Sequence, residues 1–115
     1  MIVYEKPTCS KCRRLVQLLD ERGVEYTRVD FHKKRLSEEK LRDLLAKAGL
    51  GPRDVLRRRE PTYMNLRVRE SETSDDALIA LMVEHPELLQ RPIVEHGERA
   101  LLARPVEKAL SLLDG

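Results

Sequence analysis

The sequence has no tryptophan, one phenylalanine and three tyrosines among its 115 residues. Any core must therefore be filled by leucine, valine, isoleucine and alanine rather than by aromatic anchors. Cysteine is just as scarce, with Cys9 and Cys12 alone. Two thiols so close together exclude a disulfide framework, because closing a loop that short removes little chain entropy. They also fall short of the four ligands of a structural zinc site. His32, His85 and His96 are scattered without paired-ligand spacing, so no metal is expected. A charge excess of one sign is missing too: 22 basic residues face 20 acidic ones, for a net charge of +2. That balance gives no support for direct nucleic-acid binding or for a membrane patch. No run approaches the ~20 apolar residues that cross a bilayer, and the first residues lack the n-region and h-region of a secretory signal. Free thiols without a framework fit a reducing compartment. A cytoplasmic, single-domain protein over residues 1–115 is expected.

What is present is concentrated in Lys6-Pro7-Thr8-Cys9-Ser10-Lys11-Cys12-Arg13. Before it stands an apolar run, Met1-Ile2-Val3-Tyr4. After it, Cys12, Leu15, Val16 and Leu19 recur at i, i+3, i+4 and i+7, the spacing of a helix face. A strand thus ends just before the cysteines and a helix begins at them. That places Cys9 beside the free N–H groups of a helix start, where partial positive charge favours a thiolate. Lys6, Lys11 and Arg13 add formal charge nearby. A cysteine so placed is expected to be reactive at neutral pH. A strand, a C-x-x-C and a helix in succession read as a thioredoxin-like redox motif.

The remaining pattern extends that reading. Gly23 suits the position after a helix end, and Val24 to Phe31 alternates at period two, as a strand does. Strand, helix and strand within about thirty residues make a βαβ unit with parallel pairing. His32-Lys33-Lys34-Arg35 reads as a solvated basic loop. Ser37 is an N-cap candidate for a helix whose apolar face is Leu41, Leu44, Leu45 and Ala48, ended by Gly49-Leu50-Gly51-Pro52. Asp54 to Arg59 reads as a short helix limited by Pro61. Thr73 or Ser74 starts another, with Leu78, Leu81 and Met82 on one face and Ile79 and Val83 widening it, stopped at His85-Pro86. Pro92 to Glu95 and Ala100 to Ala103, around His96-Gly97-Glu98, predict an antiparallel hairpin. Pro105 suits N1 of a last helix with face Val106, Ala109, Leu110 and Leu113. The expected fold is α/β, a thioredoxin-like (glutaredoxin-like) mixed sheet, with a helical insertion at about residues 36–90 between the βαβ and ββα halves.

Several of these segments together resemble the ArsC-type arsenate reductases and their relatives, which include the Spx-type redox regulators. Pro7-Thr8-Cys9 is similar to the family's strand–Pro-x-Cys–helix element. Asp54-Val55-Leu56-Arg57-Arg58-Arg59-Glu60-Pro61 resembles the segment carrying the first of three oxyanion-binding arginines, with Arg57 the best match and Arg58 or Arg59 as alternatives. Arg91-Pro92-Ile93-Val94 and Arg104-Pro105 resemble the second and third. The resemblance further implies a cis proline at Pro92 facing the active cysteine. It implies no bound cofactor, and glutathione with glutaredoxin, or thioredoxin, as external reductant.

On this resemblance the expected activity is thiol-dependent reduction of arsenate to arsenite. Cys9 would be the nucleophile, Arg57, Arg91 and Arg104 the oxyanion ligands, and Pro92 and Arg13 active-site support. Cys12 is a departure, because family reductases keep a single catalytic cysteine with a hydroxyl residue often three positions later. Either Cys12 or glutathione then resolves the intermediate. The Spx-type regulators share the C-x-x-C, so a redox-sensing regulator that binds RNA polymerase is the first alternative. A general C-x-x-C thiol–disulfide oxidoreductase is the second. Arg104-Pro105 separates them, since the enzyme reading uses it and the regulator reading leaves it idle.

Overall fold

A computed structural model describes residues 1–114. Its elements are β1 (Ile2–Glu5), α1 (Ser10–Glu21), β2 (Thr27–Asp30), α2 (Glu38–Ala48), α3 (Pro61–Asn65), α4 (Asp75–Glu84), β3 (Ile93–His96) and β4 (Arg99–Leu102). A 3₁₀ helix, Val106–Asp114, follows. The strands form one four-stranded sheet in the order β2-β1-β3-β4. β1 and β2 are parallel, and the other two pairings are antiparallel.

Strand alternation divides the interior into two halves. Tyr4 pairs with Ile93 and Val3 with Val94 in register, so neighbouring pairs face opposite sides of the sheet. Tyr4 and Ile93 join Leu41, Leu44, Leu78 and Met82 of α2 and α4. Val3 and Val94 join Leu15 and Leu19 of α1 and Val106, Ala109 and Leu112 of the 3₁₀ helix. The sheet is thus covered on both faces, which is why its central strands carry so little polar alternation.

Local chemistry sets most boundaries as expected. Ser37 accepts the Lys40 N–H at 3.0 Å and Ser74 accepts the Ala77 N–H at 3.1 Å, each capping a helix with acidic residues in its first turn. Ser74, not Thr73, is the cap. Gly97 takes φ 63° in the two-residue hairpin turn between the paired His96 and Arg99, a conformation that costs glycine little.

Four expectations differ from the structure. β2 is only Thr27–Asp30 rather than Val24 to Phe31, because β1 offers partners to those four residues alone. A 3₁₀ turn at Pro52–Val55 replaces the short helix expected from Asp54 to Arg59, and Leu56 then bridges Leu89 as extended chain. Pro61 starts a helix instead of limiting one: it opens α3, where a missing N–H costs nothing. The last helix is 3₁₀, with Val106, Ala109 and Leu112 buried and Leu113 exposed. At three residues per turn i, i+3 and i+6 share a face, so Leu112 takes the place assigned to Leu113. No described helix is long and apolar enough to cross a membrane.

Candidate active site

Cys9 is the N-cap of α1, with extended backbone (φ −78°, ψ 127°). Its carbonyl accepts the Arg13 N–H at 3.0 Å, which starts the helical ladder, while its own N–H donates to Lys6 at 2.9 Å. This turn aims the sulfur back at the open end of the helix. Burial alone pushes the thiol upward. The backbone N–H of Cys12, the Cys12 thiol, the Arg91 guanidinium and the Lys11 N–H outweigh it and lower Cys9 to about 7. A large thiolate fraction is therefore present at neutral pH.

Cys12, one turn on, is 0% exposed. Burial pushes its thiol up to about 12; the Lys6 backbone N–H opposes this, while donation to Cys9 and the charges of Cys9 and Glu5 add to it. The two cysteines are free, and they divide the roles: a thiolate at the surface and a protonated thiol behind it.

Arg91 meets this pair from the bend just before β3. It is 6% exposed, and its Nε and Nη1 are buried with no partner among the described residues. Its peptide bond to Pro92 is cis, as is Arg104–Pro105. Pro92 is buried, and its carbonyl accepts the Ala103 N–H at 2.9 Å. Arg104 donates Nε to the Arg91 carbonyl at 2.8 Å, which ties the two arginines together.

Arg57 approaches the Gln90–Arg91 segment along the extended bridge, in a cleft that neither cysteine nor Arg91 lines. Its N–H donates to Leu88 at 2.7 Å, and its side chain donates to Glu60 at 3.0 Å and Gln90 at 3.2 Å. Arg57, Arg58, Arg59, Glu60, Gln90 and Arg104 line a cleft of about 440 Å³. Arg58 is drawn aside by Glu70 through bonds of 2.8 and 2.7 Å, leaving Arg57 as the arginine joined to the Arg91 segment. Arg13 is exposed in the first turn of α1, and its side chain makes no hydrogen bond among the described residues.

With this geometry in view, comparison with known proteins is decisive. A model of the ArsC family matches residues 4–112. The chain belongs to the ArsC family. Among its relatives, YfgD, an uncharacterised protein of Escherichia coli, is 38% identical over 96% of this chain and 94% of that protein. An arsenate reductase of Haemophilus influenzae is 31% identical over 98% of each. The solved structure of an arsenate reductase from Vibrio cholerae is 37% identical, covers 96% of this chain and 95% of its own, and superposes with a TM-score of 0.91. Membership of the ArsC family and the thioredoxin-like fold agree with the expectation from sequence.

Two further residues of this ArsC-family chain lie beside the candidate site and are not signalled in the sequence. Gln90, between Leu89 and Arg91, orients Arg57. His32 follows β2 and was expected in a solvated loop, yet both its ring nitrogens are buried without partners among the described residues. Burial and the nearby charges of Arg91 and Lys6 hold it below its ordinary value and so neutral. Its basic neighbours Lys33, Lys34 and Arg35 are exposed as expected and mask it.

Proposed function

We propose that this protein reduces arsenate to arsenite through a Cys9 thiol–arsenate intermediate. The observation that carries this reading is the buried Arg91 guanidinium, which bonds the lowered Cys9 thiolate while its Nε and Nη1 find no partner among the described residues. Buried guanidinium donors left without partners are costly to hold, and a tetrahedral oxyanion at Cys9 would satisfy them. Planar guanidinium forks suit such an anion. Arg91 and Arg104 bind it, and Arg57 joins from across the cleft. The arrangement offsets the charge of the incoming thiolate and of the anion together.

The Cys9 thiolate attacks arsenic, an S–As bond forms, and one oxygen leaves protonated as water. A second thiolate then attacks the Cys9 sulfur. The S–As bond breaks, its electron pair stays on arsenic, and arsenite departs. Cys12 is positioned to be that second thiol, and the resulting Cys9–Cys12 disulfide is reduced by glutaredoxin or thioredoxin. Glutathione is the competing resolving thiol. Buried Pro92 fixes the Arg91 segment, and exposed Arg13 contributes field rather than contact. The regulator reading, with RNA polymerase as partner, draws on the dithiol alone and leaves the arginine-lined cleft without a task.

The test is arsenate-dependent thiol oxidation by the reduced full chain, with glutathione and glutaredoxin or with thioredoxin and its reductase. Turnover that disappears in Cys9→Ser supports the proposal. Cys12→Ser then assigns the resolving thiol: loss of the thioredoxin-supported rate points to Cys12, and retention of the glutathione-supported rate points to glutathione. Absence of turnover with either system overturns the proposal.

A further inference from the structure

The cleft beside the cysteine pair is larger than the anion proposed to enter it. Its volume of about 440 Å³ lies within the roughly 300–1,000 Å³ that hold ligands of drug size, so a tetrahedral oxyanion fills only part of it. Backbone fixes its floor: Gln90 donates to the Val55 carbonyl at 2.8 Å, Arg57 to the Leu88 carbonyl at 2.7 Å, and Leu56 bridges Leu89. The cleft also opens close to the thiolate. Gln90 precedes Arg91, Arg104 donates to the Arg91 carbonyl at 2.8 Å, and both line the cleft.

Four guanidiniums line this space, and three of them are held from within. Arg57 donates to Glu60 and Gln90, and Arg104 donates to the Arg91 carbonyl. Arg58 donates to Glu70 and, at 3.2 Å, to the Arg53 carbonyl. Arg59 differs from all three. It stands exposed in the turn that follows the bridge, with no hydrogen bond or ion pair to its side chain among the described residues. The carboxylate next to it in the chain, Glu60, is turned to Arg57. A fourth cation among three others is repelled by them, and an arsenate site built on Arg91, Arg104 and Arg57 gives it no task. What would complete it is an anionic group on a ligand long enough to reach Arg59 while its reactive atom is at Cys9.

We infer that Arg59 binds a carboxylate of the peptide thiol that resolves Cys9, so that the cleft selects an anionic peptide thiol over a small one. This deepens the proposed function and rests on its glutathione route. A tripeptide spans roughly 10 Å when extended, which carries a terminal carboxylate out along the cleft while the thiolate of its cysteine attacks the Cys9 sulfur. The guanidinium fork of Arg59 receives that carboxylate through paired N–H donors. In the same step a new S–S bond joins the peptide to Cys9, the bond from Cys9 to arsenic breaks, and its electron pair stays on arsenic. Arg59 takes no part in that exchange of electrons. It determines which thiol arrives.

The step can be isolated from arsenate and from Cys12. Full chain carrying Cys12→Ser is loaded at Cys9 as a mixed disulfide with a neutral thiopyridyl group. An incoming thiolate forms a disulfide with Cys9 and releases thiopyridone, which is followed by absorbance. Three thiols are compared: glutathione, uncharged mercaptoethanol, and mercaptopropionate, whose carboxylate is too close to its sulfur to reach Arg59. Adding Arg59→Gln is expected to slow glutathione about tenfold, to leave the other two unchanged, and to be partly rescued by Arg59→Lys. An unchanged glutathione rate overturns the inference. Equal slowing of all three thiols overturns it too, as does equal slowing of the two anionic ones, which marks long-range attraction in place of a contact. Because the assay contains no arsenate, an inactive arsenate assay with selective slowing of glutathione sinks the substrate and spares Arg59. Arsenate turnover with a glutathione rate indifferent to Arg59→Gln does the reverse.

Discussion

Arg91 and Glu95 are buried charges at the two ends of one short segment, and they are treated in opposite ways. Glu95, 5% exposed, accepts Tyr4 at 2.8 Å, Lys40 at 3.0 and 3.1 Å, and Lys47 at 2.5 Å. Arg91, 6% exposed, leaves Nε and Nη1 with no partner among the described residues. The α2 face of the sheet thus completes its charge from within. At the cysteine end the guanidinium meets only the Cys9 thiolate among the described residues. A satisfied buried ion mainly specifies structure, whereas an unsatisfied one is retained because something from outside completes it. The proposed catalytic end and the structural end of the segment are told apart by this difference rather than by burial.

The sharpest way to break the comparison is Arg91→Gln. If Arg91 serves the substrate, kcat/KM for arsenate falls by about a thousandfold, while the unfolding midpoint falls only slightly, since the contact with the Cys9 thiolate is the one internal charge interaction lost. Thiolate titration by alkylation, centred near 7 in the native chain, moves upward, since one of the groups lowering Cys9 has been removed. A large loss of stability in this variant would place Arg91 in the same class as Glu95 and dissolve the contrast.

The converse is Glu95→Gln. Removing the acceptor leaves two ammonium groups without their buried partner. Lys40 and Lys47 keep side-chain exposures of 35% and 20% and can turn to water, so the expected cost is about 2 kcal/mol, below that of a fully buried pair. Chemical denaturation measures it, and the per-molecule Cys9 reactivity of the folded variant stays unchanged. The sign with pH follows from the lowered carboxylate. Burial opposes ionisation, but Lys47, Lys40 and the Tyr4 hydroxyl bring Glu95 to about 2. Its contribution is complete above the unfolded value of about 4.3 and is lost as pH falls toward the folded one. Glu95→Gln should therefore flatten the acid limb of the stability curve between those values.

The contrast also explains what could be read from the sequence. Cys9 and Cys12 were legible because strand, thiols and helix are contiguous, so one turn of chain defines their environment. Arg91, Pro92 and Arg104 were legible through resemblance to family motifs, not through any local physical signal. The Glu95 network was not legible, since its partners lie 91, 55 and 48 residues away. The one hint was a charged residue in phase with Ile93 on a strand. Leu112 was misplaced for a related reason: 3.0 and 3.6 residues per turn agree at i+3 and diverge by i+6, and the sequence alone does not choose between them.

Arg57 lies between the two extremes and yields the smallest effect. Glu60 and Gln90 each hold one end of its guanidinium, but loosely, in the open cleft. A carboxylate on a proposed anion ligand is a stand-in for the anion, and it must be displaced before Arg57 can turn to arsenate. Glu60→Gln keeps the shape of the side chain and removes the competing charge. KM for arsenate should then fall about two- to threefold with kcat nearly constant, because Arg57 is released before binding rather than during the reaction. Stability should change by no more than about 0.5 kcal/mol, the range of a partly solvated pair. A rise in KM instead would show that Glu60 positions Arg57 for the anion, which would move Arg57 toward the self-completed class that Glu95 defines.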